Sequence, residues 1–327
     1  MNKNNESGVV RIRRQGPPAV LEFMTEIVGQ PAGHQVLIRQ ESIGLNYVDT
    51  MFRSGIFPLH VLPATIGVEA AGVVEAIGQQ VQGFKVGDHV AYHLSLGAYA
   101  ERRLINAHEI VKIPSDISFD HAASLMAKGL TARMLVKQAY AVRKGDIVLV
   151  HAAAGGVGSF ISALAKSQGA TVIGIVGNNS KKEIALKSGL DHVIAADTAH
   201  FASAVQSITD GKGVNVVYDG VGLSTFEQSI GLIRSGGSII LYGTSSGVPQ
   251  VDQSALQRLG IRYLRPNLGS YLPDHASLEL ATEEVFAALR AGIFGNLTPT
   301  VYSLADAEKA HADLEGRKTT GPVVFHP

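Results

Sequence analysis

The sequence predicts two domains of α/β character, a glycine-punctuated β domain followed by a doubly wound one, and three observations carry the prediction. The chain has 327 residues, more than one hydrophobic core usually spans. Short strands separated by turn signals fill its first third, and from Gly145 onward strands alternate with helices. In between, Ile147-Val-Leu-Val-His-Ala-Ala-Ala-Gly-Gly-Val-Gly158 runs from an apolar strand into a glycine turn and then a helix.

The first domain is read from strand-like stretches at 9–14, 20–27, 35–43, 71–77, 88–92 and 98–105, with no helix of real length among them. That spacing suits an antiparallel, partly closed barrel. A helix is expected over 122–140. In the second domain, strands are expected at 147–150, 171–176, 192–196, 214–218 and 238–242, with 261–264 as a further one. Helices are expected after Gly155, over 180–188 and near 199–209. Ser224-Thr-Phe-Glu227 has the form of a capping box opening another helix, and 277–291 reads as a long helix stopped by Gly292. The tail returns to mixed character, with a strand near Thr300, a helix over 304–315 and a last strand at 323–325.

Composition narrows the function. With 46% hydrophobic residues and 17% charged, the chain has the makeup of a soluble α/β enzyme. A net charge of +0 offers no general attraction to nucleic acid or to an anionic membrane. There are no cysteines, which excludes disulfides, thiol nucleophiles and thiolate-ligated metal, so redox chemistry needs a cofactor. No run approaches a membrane span and the first eight residues lack an apolar signal region; a cytoplasmic protein is expected.

The glycine turn supplies the first candidate site. Ala153, Gly155 and Gly158 occupy the three positions of the G-x-G-x-x-G dinucleotide fingerprint, between a strand and a helix carrying Val157, Phe160, Ile161 and Leu164 on one stripe. Small residues there let the backbone approach a pyrophosphate at the positive end of the helix. At the end of the second strand, where an acid would read a ribose 2′-hydroxyl, the chain has Gly177 and then Asn178-Asn-Ser-Lys-Lys182. The acid is missing and donors replace it, which points to a 2′-phosphate. The loop Gly243-Thr-Ser-Ser-Gly247 follows a strand at its carboxyl end, where open sheets bind ligands. His151 has no acidic neighbour in sequence and reads as packing, Asp49 and Tyr47 read as structural, and Arg53 reads equally well as a solvated surface residue.

Eight blocks, in order, resemble the zinc-independent quinone oxidoreductase branch of the medium-chain dehydrogenase/reductase superfamily. They are Gly44-Leu-Asn-Tyr-Val-Asp-Thr50, Arg53-Ser-Gly55, Gly67-Val-Glu-Ala-Ala-Gly72, Lys85-Val-Gly-Asp-His-Val90, Lys128-Gly-Leu-Thr131, His151 to Gly158, Val217-Tyr-Asp-Gly-Val-Gly222 and Arg265-Pro266. The resemblance implies a GroES-like catalytic domain over residues 1–126, rejoined by 297–327, and a Rossmann domain over 127–296. It also implies NADPH in the cleft between them and a homodimer joined at the sheet edge 261–264. Where zinc enzymes of the superfamily have G-H-E, this chain has Gly67-Val68-Glu69, so no metal is expected.

By the same resemblance, Asn46 and Thr131 face the reacting groups, Asn46 with an amide that donates to the acceptor oxygen. Met51, Phe57 and Arg265 line the acceptor site, Met51 and Phe57 standing where relatives often carry tyrosines. Cofactor contacts fall on Ala154, Gly155, Gly156, Val157, Gly177, Asn178, Lys181, Tyr218, Gly243, Thr244 and Ser246. Lys181 aligns with a 2′-phosphate-binding lysine, while Ala195-Ala196 replaces a tyrosine found beside that phosphate. The implied activity is NADPH-dependent reduction of a quinone. Reduction of an enal or enone double bond is the alternative within enzymes, and a non-catalytic NADPH- or RNA-binding protein is the alternative outside them.

Overall fold

The computed structural model describes residues 6–187, 189–195 and 201–327, apart from the side chains of residues 180, 184 and 187. Ser188 and Ala196, and the expected strand and helix ends that fall on residues 196–200, lie outside the described residues. The chain divides into two compact units, one gathering Met1–Ala127, Asp274–Thr282 and Leu297–Pro327, the other Lys128–Pro273 and Glu283–Asn296.

In the first unit, β1 (Glu6–Ile12), β2 (Leu21–Ile27) and β4 (Ala64–Thr65) form a small antiparallel sheet. A larger sheet is built on β3 (Gln35–Leu45), flanked by β5 (Glu69–Ile77), then β6 (His89–Tyr92) and β8 (Ile110–Lys112), and on the other side by β16 (Val323–His326) and β15 (Thr300–Ser303). β7 (Arg102–Asn106) also pairs with β3. Register shifts at Leu37/Ile38 and Gln40/Ser42 bend β3 against β5, as bulges do at the corners of a barrel. At that bend Gly72 has to be glycine, since a Cβ would lie 2.1 Å from the Arg39 carbonyl. Ile12, Val36, Ile38, Ile43, Ile66, Tyr92, Tyr99 and Phe325 fill the interior. Strand 98–105 is shorter than expected. Residues 98–100 spend their N–H groups on Gly67, Ile66 and each other after the left-handed Gly97, so the strand begins at Arg102.

The unexpected element is α1 (Tyr47–Ser54), a short helix inside the β domain. Its signals were present: Asn46 with an acid three residues on, and Gly55, which closes the helix at φ 94°. The unit also holds α10 (Ala307–Glu315). α2 (Phe119–Met134) runs on into a π-helical turn, Leu135–Ala139.

The second unit is a parallel six-stranded sheet of β9 (Ile147–His151), β10 (Thr171–Val176), β11 (His192–Ala195), β12 (Val214–Asp219), β13 (Ile233–Leu241) and β14 (Arg262–Leu264), in the order β11-β10-β9-β12-β13-β14. That is the doubly wound order of a Rossmann sheet. Its connections carry α3 (Gly156–Ser167), α4 (Asn179–Lys187), α5 (Phe201–Ile208), α6 (Phe226–Ile230) and α7 (Gln253–Arg258); α8 (Leu268–Tyr271) follows β14, and α9 (His275–Arg290) has its first half in the first unit and its second half in this one. Strands β9, β10 and β12 are buried almost throughout, which is why they read as unbroken apolar runs. The expected capping box at Ser224 does not form. Thr225, not Ser224, precedes α6, and its hydroxyl donates to the Asp219 carboxylate at 2.8 Å.

Candidate active site

In the first unit the candidate residues collect where β3 hands over to α1. Gly44 ends the strand against two neighbours that leave no room for a side chain: a Cβ would sit 2.3 Å from the Ala123 carbonyl and 2.4 Å from the Glu69 carboxylate. Asn46 follows, buried, with its backbone N–H donating to Asp49 Oδ2 at 2.8 Å. Its side-chain amide donates to Glu69 Oε2 at 2.7 Å and to the Gly44 carbonyl at 3.4 Å. The N–H groups expected to serve an acceptor are thus engaged within the protein. A carboxylate accepts only, so the NH2 end faces Glu69 and both of its hydrogens are directed inward. Glu69, fully buried, also takes the Ala127 N–H at 2.6 Å. It ties β5, the Asn46 turn and α2 together, a role that its place in a glycine-flanked block did not disclose.

Asp49 belongs to a buried polar string. Tyr99 Oη donates to Asp49 Oδ2 at 3.1 Å and meets His311 Nε2 at 2.8 Å; His311 Nδ1 lies 3.3 Å from Arg53 Nη1. Arg53 can only donate, so Nδ1 is the acceptor and Nε2–H donates to Tyr99, whose own hydrogen goes to Asp49. Burial, with the Arg53 charge second, lowers the His311 pKa to about 3, which keeps the ring in this neutral form. Arg53 is 2% exposed and pairs in two-pronged fashion with Glu315 at 2.7 and 3.0 Å. The solvated-surface reading of Arg53 is thus overturned. Asp49 is structural as expected, whereas Tyr47 is exposed.

Met51 and Phe57 stand at the other end of α1. The Met51 carbonyl accepts from Gly55 and Phe57, and the half-exposed Phe57 ring packs edge-on to Phe52 at 5.5 Å.

The second unit builds its candidate site at the carboxyl ends of its strands. After β9, Ala152 adopts φ 52°, and Gly158 packs where a Cβ would meet the Ala152 carbonyl at 2.3 Å. Only glycine admits that approach of helix to turn. Helix α3 starts at Gly156 with no side-chain cap and no acid in its first turn. Its leading N–H groups and dipole are therefore offered to an anion. The buried stem of Lys128 lies across Gly156, Cδ and Cε 3.1 and 3.2 Å from where its Cβ would be. Ala154 is buried and Val157 half-buried. These residues fit a dinucleotide pyrophosphate.

Beyond β10, Gly177 faces open space. Asn178 Oδ1 accepts from the Lys181 backbone N–H at 3.1 Å, fixing the first turn of α4, with Lys181 half-buried and Lys182 exposed. Thr244 and Gly243 follow β13. The Ser246 hydroxyl donates to Val221 at 2.8 Å and accepts from Ser224 at 3.1 Å, so it braces two loops together. Tyr218 is corrected as a cofactor contact. It is fully buried and its hydroxyl donates to the Leu135 and Tyr140 carbonyls at 3.1 and 3.4 Å, which makes it the prop of the π-helical turn. His151 packs as expected, edge-on to Phe201 and bonded to Ser229 at 2.7 Å. Thr131 is half-buried on α2 and Arg265 exposed after β14. Among the described residues, no three His, Cys, Asp or Glu side chains converge as metal ligands.

Two family models match the chain, the alcohol dehydrogenase GroES-like domain over residues 32–115 and the zinc-binding dehydrogenase over residues 156–283. A quinone oxidoreductase of Pseudomonas aeruginosa is 39% identical, over 97% of this chain and 99% of that protein. A 2-haloacrylate reductase of a Burkholderia species is also 39% identical, over 97% and 98% of the two chains. The crystal structure of Escherichia coli quinone oxidoreductase complexed with NADPH superposes with a TM-score of 0.94 at 35% identity, covering 98% of this chain and all of the other.

Proposed function

The chain belongs to the quinone oxidoreductase branch of the medium-chain dehydrogenase/reductase superfamily, and from that membership we propose that it is an NADPH-dependent quinone reductase working without a metal. The near full-length likeness to quinone oxidoreductases, one of them solved with NADPH, carries the proposal. Bound NADPH supplies the hydride. The second unit holds it through the uncapped start of α3, with Gly155, Gly156 and Val157 presenting backbone to the pyrophosphate, Ala154 beside them, and Lys128 overhead. Lys181, set by the Asn178 cap beside the open surface of Gly177, receives the 2′-phosphate. Gly243 and Thr244 close the cradle, held by Ser246. In the first unit, Asn46, held by Glu69, lies beside the acceptor with Met51 and Phe57 as its apolar wall; in the second unit, Thr131 and Arg265 are further site residues.

The chain acts as a homodimer through β14, the edge strand of the nucleotide sheet, whose open backbone otherwise invites aggregation. A cytoplasmic location, with no nucleic-acid or membrane partner, accords with the zero net charge and with the absence, among the described residues, of any helix long and apolar enough to cross a membrane. Reduction of an activated C=C bond is the second reading, favoured by a 2-haloacrylate reductase at the same 39% identity. Following NADPH absorbance against a panel of quinones and enones tests both. Steady turnover with a quinone is expected, turnover with enones alone selects the second reading, and none with either class refutes both.

A further inference from the structure

Besides Asn46 and Glu69, a third polar side chain belongs to the same face of the first unit's sheet, and no family motif names it. β6 pairs with β5 through Ala71↔Ala91 and Ala70↔Tyr92, and β3 pairs with β5 through Gly44↔Glu69. One step past Tyr92 puts His93 across from Glu69. Directly opposed residues of antiparallel strands share a face, so Gly44, Glu69 and His93 form one row, while Tyr92 points the other way into the barrel core.

His93 is only 9% exposed, yet neither ring nitrogen has a hydrogen-bond partner among the described residues, and Nδ1 is sealed from solvent. The two other deeply buried histidines are each anchored by at least one ring nitrogen: His151 Nε2 meets Ser229, though its Nδ1 is also without a partner, and His311 meets Tyr99 and Arg53. A buried polar group left without a partner calls for an explanation, of which a ligand is one. The backbone around it is fixed at some cost. Leu94 is held at φ 53°, exposed, in a left-handed conformation that a branched side chain disfavours. Arg103 maintains it, donating to the Ser95 and Leu96 carbonyls and the Ser95 hydroxyl, each at 2.7 Å, with its guanidinium 4.7 Å above the Tyr92 ring. Strain braced in this way is common at functional sites.

Burial lowers the His93 pKa to about 4, so the ring is neutral at physiological pH and has one N–H and one lone pair. An orphaned buried donor is rarer than an orphaned acceptor, so the lone pair belongs to the sealed Nδ1 and the hydrogen to Nε2.

We propose that His93 is a further acceptor-binding residue, whose Nε2–H donates a hydrogen bond to the carbonyl oxygen of a quinone or enone. The proposal rests on the reductase reading for its substrate class. When hydride, carrying two electrons and one proton, passes from a reduced nicotinamide, which is oxidised as it loses it, to the acceptor, negative charge would develop on that oxygen. The Nε2–H hydrogen bond stabilises it there. The proton that neutralises the product comes from solvent, because a neutral imidazole giving up its own would become imidazolate.

The test compares the intact wild-type chain with His93→Phe, which has no donor, and His93→Gln, which restores an N–H. Calorimetry with 9,10-phenanthrenequinone in the absence of NADPH should show binding weakened about fivefold in the Phe variant and recovered in the Gln variant. Quinone turnover should fall about tenfold or more in the Phe variant, with recovery by Gln, while the Kd of NADPH by its own fluorescence stays within about twofold. Nitrogen-15 shifts of His93 in the wild type should report the neutral Nε2–H form at pH 7, moving on addition of the quinone. Wild-type quinone affinity and turnover in the Phe variant would overturn the proposal. So would an Nδ1–H ring that ignores the quinone, a result that needs no variant to fold. If the wild type turns over no quinone or enone, the reductase reading fails by itself, and the calorimetric comparison still judges His93.

Discussion

Replacing Glu69 by glutamine tests whether Asn46 works by being held. The buried carboxylate accepts from Asn46 Nδ2 at 2.7 Å and from the Ala127 backbone N–H at 2.6 Å. In Glu69→Gln only one of those positions remains an acceptor. The backbone donor cannot turn away, so the new amide gives its oxygen to Ala127 and its NH2 to Asn46, donor against donor. Asn46 must rotate, which points its oxygen at the Gly44 carbonyl it now donates to at 3.4 Å. Two hydrogen bonds to a charged acceptor, worth about 1.5–3 kcal/mol each, become neutral ones, while a buried charge disappears. A net loss of about 1–2 kcal/mol in denaturant unfolding follows. Glu69→Ala orphans both donors and should cost about 2–5 kcal/mol. Stability should therefore separate the two variants, yet quinone turnover should fall by a similar factor in both, since each releases Asn46. The decisive assay is a double-mutant cycle in kcat. If Glu69 acts through Asn46, then Glu69→Gln added to Asn46→Ala changes kcat no further. Independent, additive losses would refute the argument.

Three further predictions follow from the same geometry. Lys181→Ala should raise the KM for NADPH about tenfold or more and leave NADH nearly unchanged, because a charge-assisted phosphate contact is worth about 2 kcal/mol; equal losses with both cofactors would remove Lys181 from the 2′-phosphate. Arg53→Ala leaves Glu315, His311 and the Gly16 carbonyl without their donor and should destabilise the fold by about 3–5 kcal/mol, read by chemical unfolding, where a loss below about 1 kcal/mol would return Arg53 to the surface. His311 titrates at about 3 when folded and near 6.5 when unfolded, so the unfolded chain binds the extra proton between those values. Its contribution is complete above about pH 6.5 and drains as pH falls toward 3, a loss of about 2 kcal/mol by pH 5 that His311→Gln should abolish in pH-dependent unfolding.

The nucleotide half was legible in sequence because its physics is local. A buried parallel strand is an apolar run, and a turn that packs helix against strand at 2.3 Å admits only glycine, so Val148 to Gly158 declares itself within a few residues. The acceptor half was legible only as blocks. Arg53 meets Glu315 and His311 across more than 250 residues of chain, and nothing near Arg53 in sequence foretells those partners. Tyr218 misled for the same reason: it stands beside the Val-Gly turn, but its hydroxyl is claimed by carbonyls at the end of α2. Asn46 was found by position, whereas the direction of its amide depended on Glu69, which enters from another strand. His93 carried one usable signal. Alternation along 88–92 sends Tyr92 into the core and the next residue to the opposite face, beside the Gly67-Val-Glu block.

These directions bear on which reactions the first unit can assist. Val68 stands where zinc enzymes of the superfamily carry a histidine, and the chain has no cysteine, so the imidazole and thiolates that hold their Lewis acid are not offered at these positions. With the Asn46 hydrogens turned to Glu69 and Gly44, the donor proposed for that face is the Nε2–H of His93. One neutral donor lowers a barrier by about 3–4 kcal/mol at best. Alcohol oxidation requires loss of a proton from a group with a pKa far above neutral, and a neutral imidazole of depressed pKa is a weak base for it, an amide weaker still. A quinone or activated alkene already carries an electrophilic carbon and an oxygen able to hold the charge, so placement and one hydrogen bond suffice. The polar groups of this face thus favour hydride delivery to a conjugated carbonyl over its removal from an alcohol.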